Sequence, residues 1–293
     1  MDKAKVYFTK DLSSQGLVKI FKYANIKLDG NVAVKLHSGE DGNQNYLGPD
    51  YVKDIIDYVK GTVVECNTAY DGARTNNFDH DKLMEKHGWS KYFKVDILDR
   101  DDSLCLDIPS GQVLKENYVG SHIKNYDSVL VLSHFKGHPM GGFGGALKQL
   151  SIGFASRMGK AWIHSAGTNK NPDTLWHNLP EQKLFLESMA DAAFSVHNLF
   201  KNHIVYINVL KNMSVDCDCC AVAEDPCIKD IGVLLSTNPI AIDMASIDLI
   251  SASNDEGKEH FLERVNSRNG MHTIDAANTL NFGTKDYILE FID

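Results

Sequence analysis

The richest chemistry in this chain of 293 residues lies around residues 134–164. His134, Lys136, His138, Lys148, Arg157, Lys160 and His164 fall there beside glycines at 137, 141, 142, 144 and 145. Glycine lets the backbone approach a ligand closely. A lysine is a point charge suited to phosphate or carboxylate. A histidine titrates near neutrality and can exchange a proton or hold a transition metal. A helix starting near Gly145 would aim free N–H groups at an anion. The pattern is neither the dinucleotide GxGxxG nor the GxxxxGK[ST] phosphate loop, because Gln149 follows Lys148. The bland alternative is a flexible loop carrying solvated bases. A continuous helix would hold Lys148 and His164 about 24 Å apart. They can share a site only if the chain turns between Gly153 and Gly159.

A second constellation is Asp216-Cys217-Asp218-Cys219-Cys220, followed by Cys227. Four such thiols could bind Zn²⁺ or iron–sulfur, although the spacing is not a pair of CxxC knuckles. Adjacent carboxylates should raise the thiol pKa values and disfavour a free thiolate. An incidental disulfide or a turn of ordinary reduced cysteines is an even competitor. Cys66 and Cys105, in strand-like segments, read as small core residues. His80 and His87, seven apart, read as surface residues of a helix.

Short apolar runs alternating with helical patterns must position these groups. Lys5–Thr9, Asn31–His37, Thr62–Asn67, Ser128–His134, His203–Val209 and Asp230–Ser236 read as strands. Leu12–Ile26, Pro49–Lys60, Phe78–His87, Glu181–Phe200 and Asn238–Ile250 read as helices, two of them opened by a proline in the first turn. The alternation predicts an α/β fold with mostly parallel sheets flanked by helices, in two lobes with a cleft between them. The polar, turn-rich SAGTNKNPDT suggests a boundary, giving lobes 1–165 and 166–293.

Ligands in such sheets sit beyond the carboxyl ends of strands. Four strand ends carry capable residues: KLHSGEDGN with His37, ECNTAYDGARTN with Arg74, the His134 segment, and DCDCC. They are expected to share one cleft.

The formal charge of −9 argues against nucleic acid as a partner. No apolar run is long enough to span a bilayer. The charged start MDKAKVYFTK is unlike a signal peptide, so the cytoplasm is the expected address and membranes are not expected partners.

The sequence resembles the domain-of-unknown-function 362 family, often labelled an uncharacterised iron–sulfur centre protein. The matching pieces are VKLHSGEDGN, NTAYDGARTN, VLSHFKGHPMGGFGGALKQLSIGFASRMGK, DCDCC and STNPIAID, in order over nearly the whole chain. Many members carry a ferredoxin-like insert. This chain has no cysteine between residues 106 and 216, so an iron–sulfur role here rests on Cys217–Cys227. More distantly the chain is similar to the nickel-pincer lactate racemase superfamily. That resemblance implies an acid/base role for His138, a cofactor-carrying role for Lys148 and a nickel-ligand role for His164.

The expectation is a metal- or cofactor-dependent enzyme, with proton-transfer or redox chemistry on a small carboxylate. His138 and Lys148 are its catalytic candidates. His37, Arg74, Gly141, Gly142, Gly144, Gly145, Lys148 and His164 would hold an anionic ligand or cofactor. His164, Cys217, Cys219, Cys220 and Cys227 are the candidate ligands for Zn, Fe or Ni. The alternative is a non-catalytic zinc or iron–sulfur protein.

Overall fold

The computed structural model describes residues 3–293. The first half runs β1 (Ala4–Thr9), α1 (Ser14–Ala24), β2 (Val32–Lys35), α2 (Pro49–Val59), β3 (Thr62–Glu65), α3 (Asn77–Lys86), α4 (Trp89–Tyr92) and β4 (Val95–Ile97). Next come β5 (Ser103–Asp107), β6 (Glu116–Gly120), β7 (Ser128–His134), β8 (Lys136–His138), β9 (Gly142–Gly144), α5 (Ala146–Lys148) and α6 (Arg157–His164). The remainder is α7 (Gln182–Phe200), β10 (Ile204–Leu210), β11 (Gly232–Ser236), α8 (Pro239–Ser251), α9 (Lys258–Ser267), α10 (Met271–Thr279) and β12 (Tyr287–Phe291).

Eight strands form one sheet in the order β12-β1-β11-β10-β7-β2-β3-β4. Only β11 runs against its neighbours, β1 and β10; every other pair is parallel. The mostly parallel, helix-flanked sheet expected from the alternation is therefore present. Strands from both sides of residue 165 enter it. Two small hairpins, β5–β6 and β8–β9, stand outside.

Burial explains the order. Every residue of β7 and β10 is buried, as befits central strands covered on both faces. Along β7, Val129 and Val131 pack into the apolar cluster on one side, Leu130 and Leu132 into the cluster on the other. Each such side chain contributes roughly 1.5–3 kcal/mol.

Local chemistry sets the helix ends. The expected helix Leu12–Ile26 is trimmed to α1 because the Ser13 side chain accepts from the Gly16 amide at 3.1 Å, and Asn25 takes a left-handed conformation. Asn238 caps α8 and Pro239 opens it. Three expectations fail on burial. Cys105 is exposed on β5, an edge hairpin rather than the core. His80 is fully buried, its Nδ1 3.1 Å from the Asn67 side-chain oxygen, and His87 is half-buried against Tyr46. Elements β4, β5, β6, α9, α10 and β12 had no counterpart in the sequence reading. β12, for example, is held to β1 by pairing across almost the whole chain length.

Candidate functional site

The carboxyl ends of β2, β3, β7 and β10 lie side by side in the sheet, so the four loops leaving them converge. They enclose a cavity of about 240 Å³ to which all four contribute. His37 comes from the first, Arg74 from the second, His138, Lys148 and His164 from the third, and Cys219 from the fourth. Lys148 reaches the same space as His164 because the chain does turn. After α5 it makes a wide π-helical turn over Gln149–Gly153, and Ser156 then caps α6 by accepting from the Gly159 amide at 3.1 Å.

One wall is a closed network of opposite charges. Glu65 pairs with Lys35 at 2.6 Å and with Arg74 at 3.6 Å, and accepts from the Ser38 amide and hydroxyl at 2.9 and 3.0 Å. Arg74 also reaches Glu40 at 3.3 Å and donates to the Tyr70 hydroxyl at 2.6 Å. Burial pushes the Glu65 carboxyl up, but Lys35, His37 and Arg74 outweigh it and hold the group well below the usual range.

Among the described residues, the opposite wall presents no carboxylate to its two cavity lysines, Lys148 and Lys160. Lys148 donates to the Cys217 sulfur at 3.3 Å. Burial opposes a charge on Cys217, yet the Cys219 thiol, Lys148, His138 and His37 together hold its pKa well below that of an ordinary thiol. The Lys148 ammonium thus lies against a buried sulfur whose negative form it favours. Cys217 departs from the expected rise, and the carboxylate beside it, Asp218, is engaged by His134 and Lys136, each at 2.8 Å; Cys227 is raised as expected, where Glu224 and Asp255 add to burial. Lys160 is a further buried lysine on the cavity, and its ammonium donates to the Ala155 carbonyl at 2.6 Å. It forms no ion pair among the described residues, and burial lowers its pKa.

Hydrogen bonds fix the histidine tautomers. Amides of Met140 and Gly141 donate to Nδ1 of His138 at 3.2 and 2.8 Å, so that ring carries its proton on Nε2. The Gly39 amide does the same to His37 at 3.1 Å. His164 is the reverse: its Nδ1 donates to the Lys160 carbonyl at 2.7 Å, which leaves the lone pair on Nε2. Burial lowers the His164 pKa to about 4, so this base is neutral at pH 7.

The glycines are placed differently from the rest. None of Gly141, Gly142, Gly144 and Gly145 lines the cavity. Gly142, at φ +81°, backs onto Gly270, where a Cβ would lie 2.9 Å from that residue's Cα. A Cβ on Gly145 would lie 2.3 Å from the Asp243 carboxylate. That carboxylate accepts from the Ala146 and Leu147 amides at 2.7 and 2.9 Å. The first-turn amides expected to face an anion are thus already bonded to a side chain of α8.

His138, Cys217 and Cys219 each bring a donor atom within 4.8 Å of the others, a group able to hold a metal. The two thiols suit a soft ion. As oriented, His138 does not, since its Nδ1 lone pair is used by two amides. Cys220 and Cys227 lie outside that group, and the Cys227 thiol donates to the Met213 carbonyl at 3.5 Å. Four thiolates around one ion, as an iron–sulfur or Cys₄ zinc site requires, are not assembled among the described residues.

Lys160, from the His134 segment, and Lys35 and Glu65, from the polar strand ends KLHSGEDGN and ECNTAYDGARTN, also line the cavity, as does Trp176. Two of them left a further signal. Lys35 interrupts the apolar run VAVKLH, and Lys160 sits four residues before His164, on the same face of α6. Trp176, on a 3₁₀ turn over Pro172–His177, left none.

The chain belongs to the family described as Domain of unknown function (DUF362), whose model matches residues 32–248. No curated protein matches it. The lactate racemase apoprotein from Thermoanaerobacterium thermosaccharolyticum is similar over 69% of this chain and 50% of its own, at 13% identity and a TM-score of 0.44. A Thermotoga maritima protein is similar over 91% of this chain and 58% of its own, at 12% identity and a TM-score of 0.42. The chain therefore spans between half and three fifths of the length of these structures, and likenesses so distant say nothing about chemistry. Among the described residues no helix is long and apolar enough to cross a membrane.

Proposed function

We propose that the chain is a metal- or cofactor-dependent enzyme that binds a small carboxylate in this cavity and moves a proton on it. The observation that carries this reading is Lys160, a buried cavity cation whose hydrogen-bond partner is a backbone carbonyl rather than an acid. Burying an unpaired ammonium is costly, and an anion entering the cavity would offset that cost. His164 presents an unprotonated Nε2 to the same space and is the proton acceptor. His138, with its proton on Nε2, is a donor. Lys148 holds the Cys217 sulfur in place. A metal or metal cofactor (Zn, Fe or Ni) would rest on Cys217 and Cys219 and would supply Lewis-acid or redox chemistry. The cavity's apolar lining, from Ile152, Met140 and Trp176, suits a ligand with a short hydrocarbon portion.

The test is thermal unfolding against a panel of small carboxylates and phosphates, with the wild type beside Lys160→Met. A ligand selective for the native state raises the melting temperature. Stabilisation by a carboxylate that disappears in the folded variant is the expected result. Stabilisation of equal size in both would remove Lys160, and with it this reading. The competing reading, a non-catalytic metal-binding protein, is favoured by the close approach of the Cys217 and Cys219 sulfurs. It predicts stoichiometric metal that is lost in Cys219→Ser, with no carboxylate response at all.

A further inference from the structure

The fourth loop carries chemistry that a carboxylate-binding, proton-transferring cavity does not use. Cys217 and Cys219 have their sulfurs within 4.8 Å of one another. The Cys219 amide also donates to the Cys217 sulfur at 3.5 Å, which folds the loop so that the two thiols face each other. They differ in access. Cys217 is fully buried, whereas Cys219 forms part of the cavity wall. The Lys148 ammonium lies 3.3 Å from the Cys217 sulfur, and a ring nitrogen of His138 lies within 4.8 Å of it. Of the other cysteines, Cys66 donates to the Phe154 carbonyl at 3.4 Å, Cys227 donates to that of Met213, Cys105 lies on the exposed hairpin, and Cys220 lies outside the group that brings the two sulfurs together.

We propose that Cys217 and Cys219 are a redox-active dithiol that closes to a disulfide when a small peroxide enters the cavity. A thiolate is the nucleophile in thiol oxidation, and a neighbouring thiol resolves the sulfenic acid. The Cys219 sulfur attacks one peroxide oxygen and gives up its thiol proton. The O–O bond breaks, leaving a sulfenic acid on Cys219 and a hydroxide that takes that proton and departs as water. The Cys217 sulfur then attacks the Cys219 sulfur and expels the second oxygen as hydroxide, which takes the Cys217 thiol proton and departs as water. The sum is one dithiol and one hydrogen peroxide giving one disulfide and two waters. The Lys148 ammonium, 3.3 Å from the Cys217 sulfur, favours its negative form in the closing attack.

The protein as purified, its metal content measured, is reduced, freed of reductant and exposed to stoichiometric hydrogen peroxide. Free thiols are then alkylated and the peptides mapped by mass spectrometry. The expected product is a Cys217–Cys219 disulfide, with Cys66, Cys105, Cys220 and Cys227 alkylated. The bridge is retained in Cys220→Ser and lost in Cys219→Ser, both confirmed folded by circular dichroism. Alkylation of both Cys217 and Cys219 in the wild type, with or without bound metal, overturns the assignment, as does a wild-type bridge between any other pair of cysteines. Neither result depends on whether carboxylates bind at Lys160.

Discussion

The two walls of the cavity are both buried and both rich in charge, yet they are built on opposite plans. On the β2–β3 side, Lys35, Glu65, Arg74 and Glu40 satisfy one another at 2.6 to 3.6 Å. On the side formed by α5, α6 and the cysteine loop, Lys148 faces a cysteine sulfur and Lys160 a carbonyl. A closed network of ions rigidifies and positions; it has nothing left to offer a ligand. An under-partnered cation in a cavity holds electrostatic attraction in reserve. The first wall therefore reads as a frame and the second as the working face.

The largest effect should come from opening the frame. Glu65→Gln leaves Lys35 with no acid and Arg74 with only Glu40, and should cost about 3–5 kcal/mol, as breaking buried ion pairs does. Lys160→Met should change stability by only about 1 kcal/mol in either direction, since it breaks no ion pair among the described residues. Urea unfolding of the two variants measures both. Equal losses would erase the distinction between the walls.

A smaller effect is expected from acid. The folded pKa of His164 is lowered by burial from 6.5 to about 4. Between those values the unfolded chain takes up a proton that the native protein refuses. The stability this group contributes is thus present above pH 6.5 and is lost as pH falls toward 4, on the order of 1–3 kcal/mol. The frame is spared in this range, because Glu65 is held well below the usual carboxylate pKa. Unfolding free energies measured from pH 7 to 4 should slope downward for the wild type and less steeply for His164→Phe. Parallel slopes would place the acid sensitivity elsewhere.

The smallest effect concerns the rim. Arg157 and Asp173 pair at 2.9 Å at the surface, where Asp173 is largely exposed, and so tie α6 to the turn carrying Trp176. Asp173→Ala should cost no more than about 0.5 kcal/mol. Any change it makes in ligand-induced stabilisation would show that the turn helps to close the working face.

Much of the frame was legible in the residue order. The buried runs SVLVLSH and IVYINVL, with no polar alternation, could only be central strands covered on both faces. Pro49 and Pro239 marked helix starts because a first-turn residue needs no N–H partner. The four polar strand ends pointed to one end of the sheet, and Gly153–Gly159 marked the turn that brings His164 back to Lys148. The sequence by itself determined this much, since periodicity, proline and glycine act through the local backbone. Which charges cancel was decided only in the tertiary structure. Asp218 sits between two cysteines in sequence, but it is spent on His134 and Lys136, and the Cys217 sulfur beside it meets Lys148 from a distant segment. The first-turn amides after Gly145 looked open to an anion, yet Asp243, almost a hundred residues away, accepts from them. Electrostatic partners are chosen by proximity in space, and neighbours along the chain do not reveal them.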